Sequence, residues 1–97
     1  MRDAKAPTST TVGTSSVLIV PTNPKRTGLF IGNTSPNPTV YIYLGFGYPA
    51  VAGSGVMFGA GQGFSMTSTN FSSAAVYAIS SAAGTGITIQ EFELAEA

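Results

Sequence analysis

The stretch T-G-L-F-I-G-N-T-S-P-N-P-T-V-Y-I-Y-L, residues Thr27–Leu44, decides the fold class. It contains two short runs of apolar, β-branched and aromatic residues on either side of a polar turn. Proline lacks an amide donor and fixes its own φ, so Pro36 and Pro38 end strand pairing and stiffen the turn. The stretch therefore predicts two neighbouring β-strands, Thr27–Gly32 and Thr39–Leu44, joined by a rigid loop.

The same pattern continues from Ser16 to the C-terminus, where short apolar runs alternate with clusters of Gly, Pro, Asn and Ser. No window shows the 3.6-residue periodicity of an amphipathic helix. We expect an all-β fold, a compact sandwich or jelly-roll-like barrel of about seven short strands. Ala83–Gly86 contains two glycines and predicts a tight hairpin between the last two strands. The strands are expected near Ser16–Pro21, Thr27–Gly32, Thr39–Leu44, Gly55–Phe58, Gly63–Thr67, Ala74–Ser80 and Gly86–Phe92.

The last strand changes the phase of its apolar residues. Ile87 and Ile89 share one face, whereas Phe92 and Leu94 lie on the opposite parity. A regular strand cannot bury all four on one side. We expect either a bulge near Gln90-Glu91 or a C-terminal tail that leaves the sheet and packs against a neighbour.

Residues 1–16 differ from the rest of the chain, because they are polar and show no periodicity. We divide the chain into an extended N-terminal arm, residues 1–16, and a single β-sandwich domain, residues 17–97. A segment with almost nothing to bury is disordered in isolation. A neighbouring chain is therefore expected to hold the arm.

Charge is scarce in this 97-residue chain: 8% of its residues are charged and the formal net charge is zero. A soluble domain typically has about 25%. No charged residue occurs from Thr27 through Gln90. A free monomer usually keeps charges of both signs on its surface, so we expect other protein to cover part of this one. The alternative is a surface that stays soluble through neutral Ser, Thr and Gly.

Two partner classes are excluded by the sequence. Four basic residues balanced by four acidic ones cannot form the basic stripe that phosphate binding requires, so no nucleic-acid partner is expected. The uncharged run Val40–Met66 is as long as a membrane span, but seven glycines and Pro49 interrupt it. A membrane helix is therefore not expected either.

Catalytic residue types are missing as well. Histidine and cysteine are absent, which removes the usual general base, the usual nucleophile and the commonest metal ligands. Glu91 and Glu93 share one face of a regular strand, so they could act as an acid/base pair or bind a hard cation; the alternative is a solvated edge. We expect no enzymatic activity, no cofactor and no metal.

An aromatic cluster, Tyr41, Tyr43, Phe46 and Tyr48, is the strongest candidate for a site. Tyr41 and Tyr43 project from one face of their strand, opposite the apolar residues that alternate with them. Exposed tyrosines suit protein contact, because they combine apolar area with a hydroxyl at low entropic cost. They could equally stack on sugar rings, or cover a second layer of the same domain.

The runs R-T-G-L-F-I-G-N-T-S, T-V-Y-I-Y-L-G, S-G-V-M-F, A-V-Y-A-I-S and G-T-G-I-T-I-Q-E occur in that order. This order resembles small virion proteins of tailed bacteriophages, among them capsid decoration or cement proteins. The resemblance implies a homotrimer on the capsid surface, made in the host cytoplasm, that clamps the major capsid protein. A tail or baseplate component and a carbohydrate-binding adhesion module are the alternatives.

The resemblance supplies no contact residues, so the candidate interface comes from charge and exposure alone. Lys25 and Arg26 are the last charges before Glu91, and we expect them to pair with acidic groups. Those groups belong either to this chain's own C-terminal glutamates or to the shell. The predicted interface residues are Arg2, Lys5, Lys25, Arg26, Tyr41, Tyr43, Phe46 and Tyr48.

Overall fold

The computed structural model describes residues 2–4, 8–66 and 72–94, and every regular element in these ranges is a β-strand. Within them, no helix is long and apolar enough to span a membrane. All seven expected strands are present, with ends shifted by no more than two residues. The strands, β1 to β9 in chain order, are Arg2–Ala4, Thr8–Val12, Val17–Val20, Arg26–Asn33, Tyr41–Phe46, Val56–Gly59, Gly63–Ser65, Val76–Ser80 and Thr85–Leu94.

The strands form two antiparallel sheets. The first, sheet A, has the order β1-β9-β4-β7, with β2 also pairing with β9. The second, sheet B, has the order β3-β8-β5-β6. From β2 onward, every connection except β5–β6 crosses from one sheet to the other, which is the wrapping of a jelly roll. The expected all-β fold is confirmed, and of the two expected forms the structure is a sandwich.

The hydrophobic core lies between the two sheets. Alternate residues of each strand point inward, as the two-residue period of a strand requires. The inward side chains are mostly β-branched, a shape that packs well on a pleated surface. The core cluster consists of Val12, Val20, Leu29, Ile31, Ile42, Leu44, Phe58, Val76, Ala78, Ile87 and Ile89.

Two expected strand pairings are wrong. The last two strands do not form a hairpin, since β8 belongs to sheet B and β9 to sheet A. The strands on either side of the proline-rich loop, β4 and β5, also lie in opposite sheets. Gly84 does adopt the positive φ that a tight reversal needs. Turn residues specify that the chain reverses, but they do not specify whether the next strand pairs or crosses to the other layer.

The last strand is regular, so both alternatives expected for it are wrong. Ile87, Ile89 and Glu91 are buried on one side of β9, and Phe92 lies on the other. The irregularity is in the partner strand instead, where β4 has one extra residue, Thr27, between positions paired with consecutive residues of β9. Glu91 therefore occupies an inward position, on the same side of the strand as Ile87 and Ile89, where an apolar residue is typical.

The expectation that the N-terminal arm needs a neighbouring chain is also wrong. Strands β1 and β2 both pair with β9 of their own chain. Val12, at the end of β2, is fully buried in the core cluster. The polar composition of the arm does not predict this arrangement. An edge strand gains much of its stability from backbone hydrogen bonds, which any sequence can make.

Candidate functional site

The outer faces of the two sheets differ in chemistry. Among the side chains that the structure describes, the outer face of sheet A is largely polar, with Phe30 and Phe92 as its large apolar side chains. The ring of Phe30 lies over Gly32 and Gly63, where an added Cβ would come within 3.1 Å and 2.6 Å of it. Phe30 therefore fills space above two glycines of its own sheet. The polar and small outward residues of sheet A include Ser9, Thr11, Gly63, Ser65, Thr88 and Gln90.

The outer face of sheet B is apolar and carries no charge. Strand register places its outward side chains in rows that cross the sheet. Tyrosine, methionine and aliphatic residues fill these rows, and sheet B has no charged residue in any strand. The rows are Leu18–Tyr77–Gly45, Ile79–Tyr43–Met57 and Tyr41–Gly59.

The exposed hydrophobic residues are concentrated on the same side of the molecule. Of the seven large hydrophobic side chains that are exposed among the described residues, only Phe30 belongs to sheet A. The other six lie on strands of sheet B or on the loop between two of them. These six are Val17, Leu18, Tyr41, Tyr48, Val51 and Met57. Val17 pairs with the inward residue Ala78, so it lies at the edge of the sheet and only the other five belong to the outer face and its loop.

The loop that joins β5 to β6, residues 47–55, lies against this face, and we call it the strap. Its backbone packs on Gly45, where an added Cβ would lie only 2.5 Å from the carbonyl oxygen of Tyr48. The amide of Ala50 donates a hydrogen bond to Ser16 Oγ at 2.8 Å. Ala50 is buried, whereas Tyr48 is 77% exposed and Val51 is also exposed. The strap therefore holds two apolar side chains toward solvent beside the apolar face.

Tyr41 and Tyr43 lie on this outer face, as their alternation in the sequence predicts. Val40, Ile42 and Leu44, which alternate with them, are buried on the opposite side. Tyr41 is exposed, and Tyr43, in the middle of the sheet, is half-buried.

Phe46 is the exception in the predicted aromatic cluster, because it is partly buried on the inner side of sheet B. It packs against the core, with its ring centroid 5.4 Å from that of Phe64 on sheet A. Its position along β5 has the inward parity of Ile42 and Leu44, so the sandwich interior takes up its ring.

A buried ion pair between Arg26 and Glu91 lies at the N-terminal end of β4. Arg26 is 2% exposed, and its Nε donates a hydrogen bond to Glu91 Oε2 at 2.7 Å. The guanidinium also donates to the carbonyl oxygens of Pro21, Ser72 and Ala74, at distances of 2.9–3.0 Å. Those carbonyls flank strands of sheet B, whereas Arg26 and Glu91 belong to sheet A. The network therefore ties the two sheets together.

The contacts of Arg26 bear on two predictions, its pairing with an acidic group and its place in the interface. Arg26 pairs with a C-terminal glutamate of its own chain, as expected, but its place in the predicted interface is wrong because it is buried. Asn23 donates to Glu91 and Glu93, at 3.3 Å and 3.1 Å, and so holds the second glutamate beside the pair. Lys25 is exposed.

Two of the predicted interface residues lie outside what the structure describes. Lys5 is not among the described residues, and the side chain of Arg2 is not described either. Within the described ranges, no group of three or more acidic, histidine or cysteine side chains is placed to hold a metal ion. Glu91, which the sequence offered for acid/base work or a cation, is engaged by Arg26 and Asn23.

Sequence reasoning missed the strap and half of the apolar face. Tyr77 and Ile79 alternate with Val76 and Ala78, a signal that predicts a second outward apolar row. The run V-L-I-V of β3 is apolar throughout, so its pattern alone does not show that Leu18 points outward. Nothing in the sequence shows that the strap folds back to Ser16, since that contact joins residues 34 positions apart.

Comparison with known proteins gives a likeness of fold. No protein-family model matches the chain, and no curated protein matches it. Among solved structures, a chain from the Bacillus endospore appendages, a family of disulfide-linked pili, is similar with a TM-score of 0.57. The likeness covers 99% of this chain and 88% of the other, at 15% sequence identity. At that identity it shows the fold alone.

Proposed function

We propose that the chain is a structural protein that works by binding other protein subunits and not by catalysis. In this proposal it decorates and stabilises a bacteriophage capsid as a homo-oligomer, in contact with the major capsid protein. The observation that carries the proposal is the contrast between an uncharged, apolar outer face on sheet B and a largely polar outer face on sheet A.

The exposed apolar surface on the outer side of sheet B supports a role in protein contact. A typical monomer's largest apolar patch measures about 300–600 Å², and such patches are often functional. Interface cores are depleted of charge and enriched in Tyr and Met. Tyr41, Tyr43 and Met57 supply these residue types, and the absence of charge in sheet B supplies the rest. This face offers no charged group that could pair with a charged ligand.

The polarity of the sandwich fits a protein that coats a surface. A subunit of a protein coat needs one side that binds other subunits, its own copies included, and another that stays in water. Sheet B offers the first, and the Ser-, Thr- and Gln-bearing face of sheet A offers the second. The sequence resemblance to phage decoration proteins supports a capsid as the surface that is coated.

A second candidate is a subunit of a filamentous appendage, which the structural likeness to the Bacillus endospore pili favours. The two proposals share a structural role and differ in the assembly. Since this chain contains no cysteine, an appendage built from it has no disulfide link through this chain. The wrapped sandwich and the apolar face serve either assembly.

Antibody labelling of particles from cells that encode the protein tests these proposals. Electron microscopy with antibody against the purified chain should show label on phage heads if it is a decoration protein. Label along surface filaments supports the appendage candidate and contradicts the capsid. Label on tails assigns the chain to the tail or baseplate. An absence of label on every particle, with the protein present in the cell extract, contradicts a structural role.

A further inference from the structure

We propose that the outer face of sheet B docks against the same face of a second copy of this chain, and that the strap completes the contact. This inference rests on the proposed structural role and names the partner of the apolar face. Three observations support it: the fixed placement of the strap, the absence of charge and the size of the apolar surface.

The strap is placed by contacts that leave it little freedom beside the sheet. Gly45 provides the seat, because a side chain there would collide with backbone atoms of residues 48–50. Ser16 holds Ala50, and the amide of Gly47 donates to the carbonyl of Ala75 at 2.7 Å. These contacts hold the strap backbone, with Tyr48 exposed, against Gly45, which shares an outward row with Tyr77 and Leu18.

Charge complementarity favours a copy of the same face over a charged partner. A partner that carries charges would lose their hydration against side chains that offer no counter-charge, and that cost disfavours the complex. The strands of sheet B and the strap contain no charged residue. Two copies of this face therefore meet without repulsion and without a buried unpaired charge.

The available area is close to what a dimer requires. The five exposed hydrophobic side chains of the outer face and the strap are between 39% and 77% exposed. Together they present on the order of 500 Å² of surface, if a large side chain covers about 150–250 Å². Each partner in a standard interface buries about 800 Å². The apolar side chains alone supply most of that area.

The contact has a definite symmetry. A face that meets itself forms an isologous contact about a two-fold axis, so it yields a dimer or an assembly of dimers. The packing repeats what sheets do inside a sandwich, where two apolar faces lie about 10 Å apart. A trimer, as the phage resemblance implies, requires a different contact, so the oligomer number decides between the two.

Sedimentation velocity of the purified full-length chain, from micromolar to millimolar concentration, tests the proposal. The wild type should show a reversible monomer–dimer equilibrium. The double variant Tyr48→Ser/Val51→Ser should raise the dimer dissociation constant about tenfold or more, as expected when exposed anchors are removed. The matched control Phe30→Ser removes an exposed aromatic ring from sheet A and should leave the dissociation constant unchanged.

A second pair of variants tests the placement of the strap. Gly45→Ala should displace the strap and weaken the dimer, while circular dichroism shows that the sandwich remains folded. Gly13→Ala is its control, because nothing lies within 4 Å of a Cβ at that position. If Gly45→Ala does not fold, the double variant Tyr48→Ser/Val51→Ser still tests the docking surface.

Three results would overturn the inference. The wild type could stay monomeric at every concentration, it could form a trimer without a dimer, or the double variant Tyr48→Ser/Val51→Ser could leave the dimer dissociation constant unchanged. Each leaves the structural role intact if antibody still labels particles. Conversely, unlabelled particles with a wild-type dimer contradict the proposed function and not the docking surface. The two failures are therefore distinguishable.

Discussion

Arg26 shows how one residue can look like a surface charge and serve the interior. In the sequence it stands beside Lys25 at the edge of a long uncharged region. The extra residue Thr27 in β4 turns it to the buried side of the sheet, where it lies opposite Glu93 in register and its Nε contacts Glu91 Oε2. A bulge changes the parity of a strand, and nothing in the residue types around it predicts that change.

The ion pair leads to a prediction about stability. Arg26→Met should lower the free energy of unfolding by about 3–5 kcal/mol, because it removes the positive charge that pairs with the buried Glu91 carboxylate. The double variant Arg26→Met/Glu91→Met removes both charges and should cost less than the sum of the two single variants. Chemical denaturation of the four proteins measures this coupling, and additive effects would show that the pair contributes nothing.

Tyr48 makes the opposite prediction at the same scale. Its side chain is 77% exposed, so Tyr48→Ser should change the free energy of unfolding of the monomer by no more than about 0.5 kcal/mol. Thermal melts at low protein concentration measure this. A large destabilisation would mean that Tyr48 supports the fold, and its exposure would then have no functional meaning.

At the scale of elements, β9 organises sheet A, since it pairs with β4 on one edge and with β1 and β2 on the other. The positions of most strands could be predicted from the sequence, because proline and glycine clusters mark their ends. Their assignment to sheets could not, because a reversal such as 81–84 or 34–40 is compatible with pairing and with crossing.

The pairing of β2 predicts that the N-terminal segment stabilises the domain. Val12→Ala removes buried methyl groups from the core and should cost about 1–3 kcal/mol, which corresponds to several degrees in the melting temperature. Thr10→Ala, on the same strand but exposed, is the control and should have almost no effect. Equal melting temperatures for wild type and Val12→Ala would mean that the segment is not held by its own chain.

At the scale of the whole molecule, the proposed function rests on the difference between the two faces. Half of this difference could be predicted, because the alternation around Tyr41 and Tyr43 is visible in the sequence. The other half depends on cross-strand register, which brings Tyr77, Ile79 and Met57 from separate strands onto one surface. Register follows from the packed sandwich and not from any single segment.

A density map of the assembled particle tests the central claim most directly, since it shows which surface of each copy is covered. We expect repeated copies in which protein covers the outer face of sheet B and the strap, including Tyr43, Tyr48 and Met57. The outer face of sheet A should be the more exposed of the two. Copies whose sheet B face points into solvent throughout the particle would contradict the account.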